Sequence, residues 1–594
     1  MKKIFTLLLL LAALTSTLQA NNLIITNLTI TGKNTTEHYS LVQFDISWEN
    51  SWRTSTEPNN WDAAWVFVKY RVAGGEWQHA WLNENGHAVP AGSTIMTGLL
   101  DPGSAFNAAT NPGLGAFIYR SVDGTGTFTN NGVQLRWNYG ANGVTDADVV
   151  EIQAFAIEMV YVPQGAFAAG SGGTENDAFY KYPTTTNAFQ VTSENAINVG
   201  TTVDYLSYPN NYNGGDRGGP IPAAFPKGYD GFYSQKYEIS QQQYVDFLNT
   251  LTQTQADTRK HTDSFYRYAI TGNTVGGYAT TNPYVACNYL TWMDGAAYSD
   301  WAGLRPMTEL EYEKACRGTA APVANEYAWG TATVAASTYS LSNATEANED
   351  IATNYSTTAG NAGYYATYSD VNGPLRVGIF AANSSNTGRI TAGASYYGIM
   401  ELSGNLWERT VSVGSPPGRA YTGLHGNGAL STAGHANVTA WPGLSGDEVT
   451  DAIGSGYRGG GWGNDAVYMR ASDRLDATYA YTGRYNYSGF RAVRTQPLPK
   501  LTTTEATLIT TTTASSGGNV TSDGGGTITA RGICWSTTTR PTTTLTTKTS
   551  ETGSTGEFTS NMTGLTASTL YYVRAYATNR AGTAYGNEVS FTTE

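Results

Sequence analysis

The chain has 594 residues, of which 14% are charged and 12% aromatic, and a formal net charge of −13. A composition so rich in rings and so poor in charge belongs to folded chains, and the acidity argues against a nucleic-acid partner, whose phosphates need basic stripes. Three cysteines are too few for a disulfide scaffold, so about two to four domains must stand on their own cores.

The chain opens with Met1-Lys2-Lys3, an apolar run from Ile4 to Leu14, and small or polar residues to Ala20. A charged start and a short apolar core predict a secretory signal peptide over 1–20, hence a secreted protein, extracellular or at the cell surface. The run is too short to span a bilayer, and no later run is long enough, so no transmembrane segment is expected.

Residues 21–150 alternate clearly. Val42, Phe44, Ile46 and Trp48 share one face, and Val66, Val68, Tyr70 and Val72 share another. Short alternating strands between Gly- and Asn-rich turns predict a β-sandwich.

Residues 151–497 contain the best helices. Ser240 and Gln243 make a capping box before Tyr244, Phe247, Leu248 and Leu251, which lie on one helix face. Met293, Ala296, Ala297 and Trp301 repeat that spacing behind Thr291, and Thr308 with Glu311 caps a further helix through about Cys316. Residues 498–594 return to Thr- and Tyr-rich strands such as Tyr572-Val573-Arg574-Ala575-Tyr576. The expected class is multidomain, β-rich α+β.

Five segments of the central block then carry a family likeness in order. They are Met159-Val160-Tyr161-Val162-Pro163; Tyr237-Glu238-Ile239-Ser240; Arg305-Pro306-Met307-Thr308-Glu309-Leu310-Glu311-Tyr312-Glu313; Gly404-Asn405-Leu406-Trp407-Glu408; and Arg458-Gly459-Gly460-Gly461-Trp462 with the closing Gly489-Phe490-Arg491. Together they resemble the formylglycine-generating enzyme (sulfatase-modifying factor) family, which implies a C-type-lectin-like variant fold over 151–497. The stretch from Leu565 through Tyr571 to Asn579 resembles the end of a fibronectin type III domain, which implies a second sandwich over 498–594.

The resemblance implies copper held by two cysteines just after the Gly-Gly-Ser motif, since copper(I) prefers soft thiolates. Those positions fall near Asn464 and Met469, so no catalytic residue is assigned and copper is not expected. The motif's serine is Gly461 and the asparagine before the closing motif is Tyr487. The family's bridging cysteines correspond to Ser299, Ala471 and Ala492, leaving Cys316 and Cys534 reduced and Cys287 as the one residue available to pair with Cys316. His425 and His435 share a Gly-rich loop without helical pairing and read as solvent-facing.

The resemblance also implies calcium, held by the Glu401 and Glu408 side chains and the Gly404 and Leu406 carbonyls, a hard-oxygen set. The competing reading pairs Glu408 with an arginine such as Arg409 or Arg458. Trp407, Asn464, Asp465, Tyr468, Asp473, Tyr485 and Tyr487 form a candidate ligand-binding face, because Tyr and Asn make adaptable contacts at low entropic cost. The expected function is a secreted, non-catalytic binding or structural protein with an extracellular protein or glycan as partner. A metal-dependent oxidoreductase and a self-assembling component of surface or secretion machinery are the alternatives.

Overall fold

The strand Asp62–Val72 has two apolar faces, and the fold buries both. In the computed structural model, which describes residues 22–594 apart from 103, 105, 368–370, 496, 497, 524–527, 580 and 581, Ala64, Val66, Val68 and Tyr70 enter one core. Ala63, Trp65 and Phe67 enter another. The expected signal peptide lies outside the described residues.

Asp62–Val72 pairs antiparallel with Val150–Val162 along its whole length, from Asp62 opposite Val160 to Val72 opposite Val150. The far end of Val150–Val162 pairs with Phe232–Gln235. That strand pairs with Ala492–Thr495, which in turn pairs with Arg305–Pro306. Gly113–Arg120 and Ser93–Leu99 extend the other side of an eight-stranded sheet.

The boundary expected at residue 150 therefore falls at the start of a strand common to both blocks, and residues 21–150 do not form a separate domain. A strand apolar on both faces needs cover on both. On one face lies a three-stranded sheet of Ile24–Asn34, Tyr39–Arg53 and Gly124–Trp137. On the other lie the helices. The three-stranded sheet packs on the eight-stranded sheet, whose strands come from both blocks. Buried polar groups cross the same seam: Lys236 Nζ lies 3.1 Å from Glu158 and 3.5 Å from Asp62, and the Trp65 indole donates to the Ala302 carbonyl at 2.9 Å.

The helices of seven residues or more among the described residues are α1 (Gln241–Asn249), α2 (Gln253–Arg259), α3 (Trp292–Trp301) and α4 (Glu309–Arg317). Each starts with a reciprocal capping box, from Ser240, Thr252, Thr291 and Thr308 respectively. The α2 helix has no apolar stripe, burying only Ala256 and Arg259, and its Thr252–Gln255 box is the one sequence signal that marks it.

All nine residues of α4 are buried, including three glutamates. Glu311 pairs with Arg305. Glu309 accepts from Arg474 at 2.7 Å and Arg458 at 3.2 Å, while Glu313 accepts from Arg458 at 2.8 Å and Arg317 at 3.3 Å. Burial would raise the Glu309 carboxyl, but Arg474 and Arg458 hold it below the usual range.

The C-terminal residues make two facing sheets. One holds Lys500–Thr507, Thr513–Ser522 and Gly556–Thr563; the other holds Ala530–Ser536, Leu570–Asn579, Gly582–Tyr585 and Val589–Thr592. The Tyr571 hydroxyl accepts from the Thr566 amide at 3.1 Å above buried Leu565, which pins the corner before Leu570–Asn579. Contact with the rest includes Lys500 at 3.8 Å from Asp230 and the packing of Leu498.

The shared strand makes a prediction. Residues 22–495 are expected to unfold in one cooperative step and the C-terminal sandwich in another, because two cores on one strand cannot melt separately. Hydrogen exchange should give Val66 and Met159 amides the same opening free energy. Earlier opening of Val66 would contradict the coupling.

Candidate functional site

The candidate site is assembled on one short strand, Trp407–Val411. It pairs antiparallel with Ser455–Arg458 and parallel with Ser488–Gly489, which puts Glu408 opposite both Arg458 and Gly489. Three of the sequence motifs thus meet in a single sheet.

The turn leading into this strand is tight. Glu401, Gly404 and Asn405 all have positive φ, at 53°, 90° and 65°, a conformation that costs a non-glycine residue about 1–3 kcal/mol and persists only where surroundings enforce it. Here they do. The Asn405 amide donates to Glu238, and the Leu406 amide donates to Glu238 at 2.8 Å.

Both expected acidic ligands sit at this turn. Glu401 Oε1 accepts from the Gly378 amide at 2.8 Å, and Glu408 Oε1 accepts from Arg491 Nε at 2.8 Å. The second carboxylate oxygen of each is buried without a hydrogen-bond partner. The arginine beside Glu408 is therefore Arg491, not Arg409 or Arg458. Arg491 also donates to the Gln235 and Met400 carbonyls, each at 2.8 Å, so its fork is fully used.

Glu238 makes a third buried carboxylate near the same turn. Burial, then the charges of Glu408 and Glu401, push its carboxyl well above the usual range. Burial lifts Glu401 to about 7 and raises Glu408, against the pull of Arg491 on both. Among the described residues, no three His, Cys, Asp or Glu side chains converge as a ready metal cluster, so a cation here would need backbone carbonyls as well.

The closing motif locks the strand from behind. A Cβ at Gly295 of α3 would lie 1.8 Å from the Phe490 ring, so glycine there lets Phe490 seat on the helix while Arg491 reaches Glu408.

The two positions that the resemblance sets against thiolates are Asn464 and Met469. The Met469 side chain is fully buried among Tyr327, Trp329, Ala362 and Tyr364. Asn464 is half-buried, and its Oδ1 accepts from the Trp407 indole at 2.8 Å. The departures at 461 and 487 fit each other. A Cβ at Gly461 would sit 2.9 Å from Trp407 Cδ1 and 3.1 Å from Tyr487 Cβ, so Tyr487 occupies room that a serine at 461 would need.

Of the predicted ligand-binding face, Trp407, Asn464, Tyr468, Tyr485 and Tyr487 come together. The Trp407 and Tyr468 rings are 6.1 Å apart, and Tyr485 stacks on Tyr487 at 4.9 Å. Tyr481 stacks on Tyr485 at 4.3 Å and Tyr479 on Tyr481 at 5.9 Å, extending the row to four rings. Burial pushes the Tyr487 hydroxyl up to about 12.

Asp465 is exposed just before the short turn Ala466–Met469. Asp473 does not belong to the face: it is 2% exposed and accepts from the backbone and side-chain amides of Asn176, so its role is to tie two loops.

Beneath the row lies Arg409, which the sequence reading used only as a partner for Glu408. It is fully buried, stacks 3.9 Å from the Tyr457 ring centre, and donates Nη2 to the Tyr481 carbonyl at 2.8 Å. Its Nε and Nη1 have no hydrogen-bond partner, and burial lowers its pKa. Glu238 and Arg491 lay inside quoted motif segments, but nothing in a motif says which carboxylate a given arginine meets.

The histidine reading is corrected at one position. His425 is 3% exposed and accepts from the Thr495 amide at 3.0 Å, so it joins a loop to a strand end instead of facing solvent. All three cysteines are free and buried, Cys287 and Cys316 in separate cores. Burial raises Cys316 to about 12 and Cys534 to about 11. Native protein should therefore react with an aromatic disulfide reagent only on the unfolding timescale, and release three thiols once denatured. A Cys287–Cys316 peptide in unreduced digests would contradict this.

No curated protein matches the chain. Among solved structures, the sensor domain of the anti-sigma factor RsgI4 from Pseudobacteroides cellulosolvens matches at 16% identity over 16% of this chain and 93% of that chain, with a TM-score of 0.13. The family described as the sulfatase-modifying factor enzyme 1-like domain matches residues 145–496, more than half of the chain. Its limits bracket the helices, the Glu401–Glu408 turn and the closing Gly489-Phe490-Arg491. The chain belongs to the sulfatase-modifying factor enzyme 1-like family.

Proposed function

We propose that this is a secreted recognition protein that keeps the family frame, stiffens it with calcium, and has given up copper-dependent oxidation. The observation that carries this reading is the filling of the two thiolate positions. A thioether locked in a core and an amide bonded to Trp407 cannot present copper(I) to a substrate sulfur in two-thiolate geometry.

The calcium reading rests on the two orphan carboxylate oxygens of Glu401 and Glu408. Both are buried hard donors at a strained turn, and a third carboxyl, Glu238, whose proton burial and the Glu408 and Glu401 charges hold on to, lies beside them. The ligands would be those two side chains with the Gly404 and Leu406 carbonyls, a set that suits a hard divalent cation. Bound there, calcium would neutralise the cluster and hold the turn.

The recognition face would be Trp407, Tyr468 and the row Tyr479–Tyr487. Rigid aromatic rings give contact area at little entropic cost, and the two unpaired donors of Arg409 beneath them favour a ligand that brings an acceptor such as a carboxylate. The C-terminal sandwich, read as fibronectin type III-like, would space or attach this face. Copper(I) titration against a chelator tests the central point. Wild-type protein should hold no stoichiometric copper(I), and one tightly held equivalent would overturn the reading.

A further inference from the structure

A cleft far from the tyrosine row opens where the N-terminal strands meet α1, α2 and α3. Its volume is about 460 Å³, inside the range of roughly 300–1,000 Å³ usual for small-ligand sites. A neighbouring cavity of about 790 Å³ shares Glu76, Trp77, Leu251 and Thr252 with it, so the two continue one groove past Trp77. We propose that this groove binds a short neutral oligosaccharide, a site independent of the function proposed above.

The aromatic wall comes first. Trp77 and Trp81 line the cleft and are both half-buried, with Trp301 behind them. No hydrogen bond to either half-buried indole N–H is found among the described residues. A half-open indole offers an apolar face for the C–H face of a pyranose ring and an N–H for its hydroxyls.

The Trp77 ring and the backbone that carries Trp81 are held in place before any ligand arrives. The Arg71 guanidinium covers one face of Trp77 at 4.6 Å and is anchored to Glu151 at 2.6 Å. The Trp81 amide donates to Asn142 Oδ1 at 2.9 Å, and the same oxygen accepts from the Trp137 indole at 2.8 Å. Fixed walls reduce the entropy lost on binding.

The polar rim supplies amides and a hydroxyl from Gln78, Asn427 and Thr110, which exchange hydrogen bonds with sugar hydroxyls in both directions.

Charge decides the ligand class. The cation at the floor, Lys69, is spent: its Nζ donates to the Trp301 carbonyl at 2.8 Å and the Gly428 carbonyl at 2.7 Å, and faces His79 Nδ1 at 3.0 Å. The groove's other cation, Arg71 in the neighbouring cavity, is paired with Glu151 and stacked on Trp77, so both cations are already engaged before a phosphate, sulfate or uronate arrives. Two carboxyl groups line the groove: Glu76 is exposed, where solvent screens it, and Asp246 in the neighbouring cavity is pushed up to about 6 by burial.

The test uses the full secreted chain with cello-, xylo-, laminari-, malto- and chito-tetraose, and with choline chloride and a proline-rich decapeptide as rivals, read by calorimetry and tryptophan fluorescence. At least one tetrasaccharide should bind saturably with little salt dependence. Trp81→Ala should weaken it about tenfold, the size expected for loss of one stacking ring, and Asn427→Ala, which also removes the acceptor of the Ala429 amide in an exposed loop, should weaken it while lowering the melting temperature only slightly. Tyr487→Ala should leave it unchanged. No tetrasaccharide binding up to millimolar concentration, binding untouched by Trp81→Ala and Asn427→Ala, or saturable binding of choline or the peptide alone would overturn the proposal.

Discussion

Replacing Arg458 with methionine is expected to cost about 3–5 kcal/mol, enough to unfold the central domain in many conditions. Arg458 is fully buried and donates to Glu309, Glu313 and the Ala471 carbonyl. Removing it leaves carboxylates in the core with too few partners, and an uncompensated buried charge is far more costly than a missing surface pair. Arg71→Met is the matched control: it breaks a pair with Glu151 whose side chains are 32% and 52% exposed, and such pairs contribute less than about 1 kcal/mol.

Urea unfolding followed by tryptophan fluorescence measures both. Adding Glu313→Gln to Arg458→Met should recover part of the loss, because the stranded charge is gone. A cost below about 1 kcal/mol for Arg458→Met would contradict the role given to the α4 network. The pH sign follows from Glu309. Its carboxyl is held below the usual value of 4.5, so its contribution is present above that value and is lost as the pH falls through the lowered native one.

Calcium at a hundredfold excess over its dissociation constant is expected to stabilise the central domain by about 2.7 kcal/mol, and chelation to remove that gain. The pH dependence runs opposite to that of Glu309. Burial raises Glu401 to about 7 and Glu238 well above the usual range, so without metal these groups contribute fully only below about pH 4.5, their ordinary value. The Glu401 part is lost as the pH rises through about 7, and the Glu238 part as the pH rises through its own raised value. Calcium displaces those protons, so its stabilisation should be larger at pH 8 than at pH 5.

Glu401→Gln separates metal binding from turn geometry. The amide oxygen can still accept from Gly378, while the charge that repels Glu238 and Glu408 is removed. The metal-free melting temperature should hold or rise, and most of the calcium response should disappear. Equal melting temperatures with calcium and with chelator, at pH 8, would remove calcium from the account.

The central fold was legible because its motifs are themselves structural. Thr308-Glu309-Leu310-Glu311-Tyr312-Glu313 reads as a capped helix, and its acidic spacing is what the buried arginines require. Gly489-Phe490-Arg491 is legible as a closing motif, but that its arginine meets Glu408 is visible only in the structure.

The N-terminal boundary misled because alternation was followed along Val66, Val68 and Tyr70 only. Ala63, Trp65 and Phe67, between them, are equally apolar and fill a second core, a pattern that marks a strand shared by two layers. Asp473 was misplaced because composition cannot say which way a side chain turns in a loop-rich segment. His425 was misplaced because a Gly-rich loop need not lie outside; this one is pinned by the Thr495 amide. The burial of Arg409 beneath the tyrosine row had no sequence signal, since an arginine that follows a glutamate looks like its partner.

The most direct test of the account is conversion of a cysteine-containing sulfatase-type peptide in air, with copper(I) and a thiol reductant supplied. On the proposed reading Asn464 and Met469 take the place of two thiolates; Cys316 and Cys287 lie in separate cores, and Cys534 lies in the C-terminal strand Ala530–Ser536. No peptide cysteine should become formylglycine by mass spectrometry or aldehyde trapping, at any copper loading. Aldehyde product above a no-protein control, growing with protein concentration, would contradict the claim that this member of the family has left oxidation for recognition.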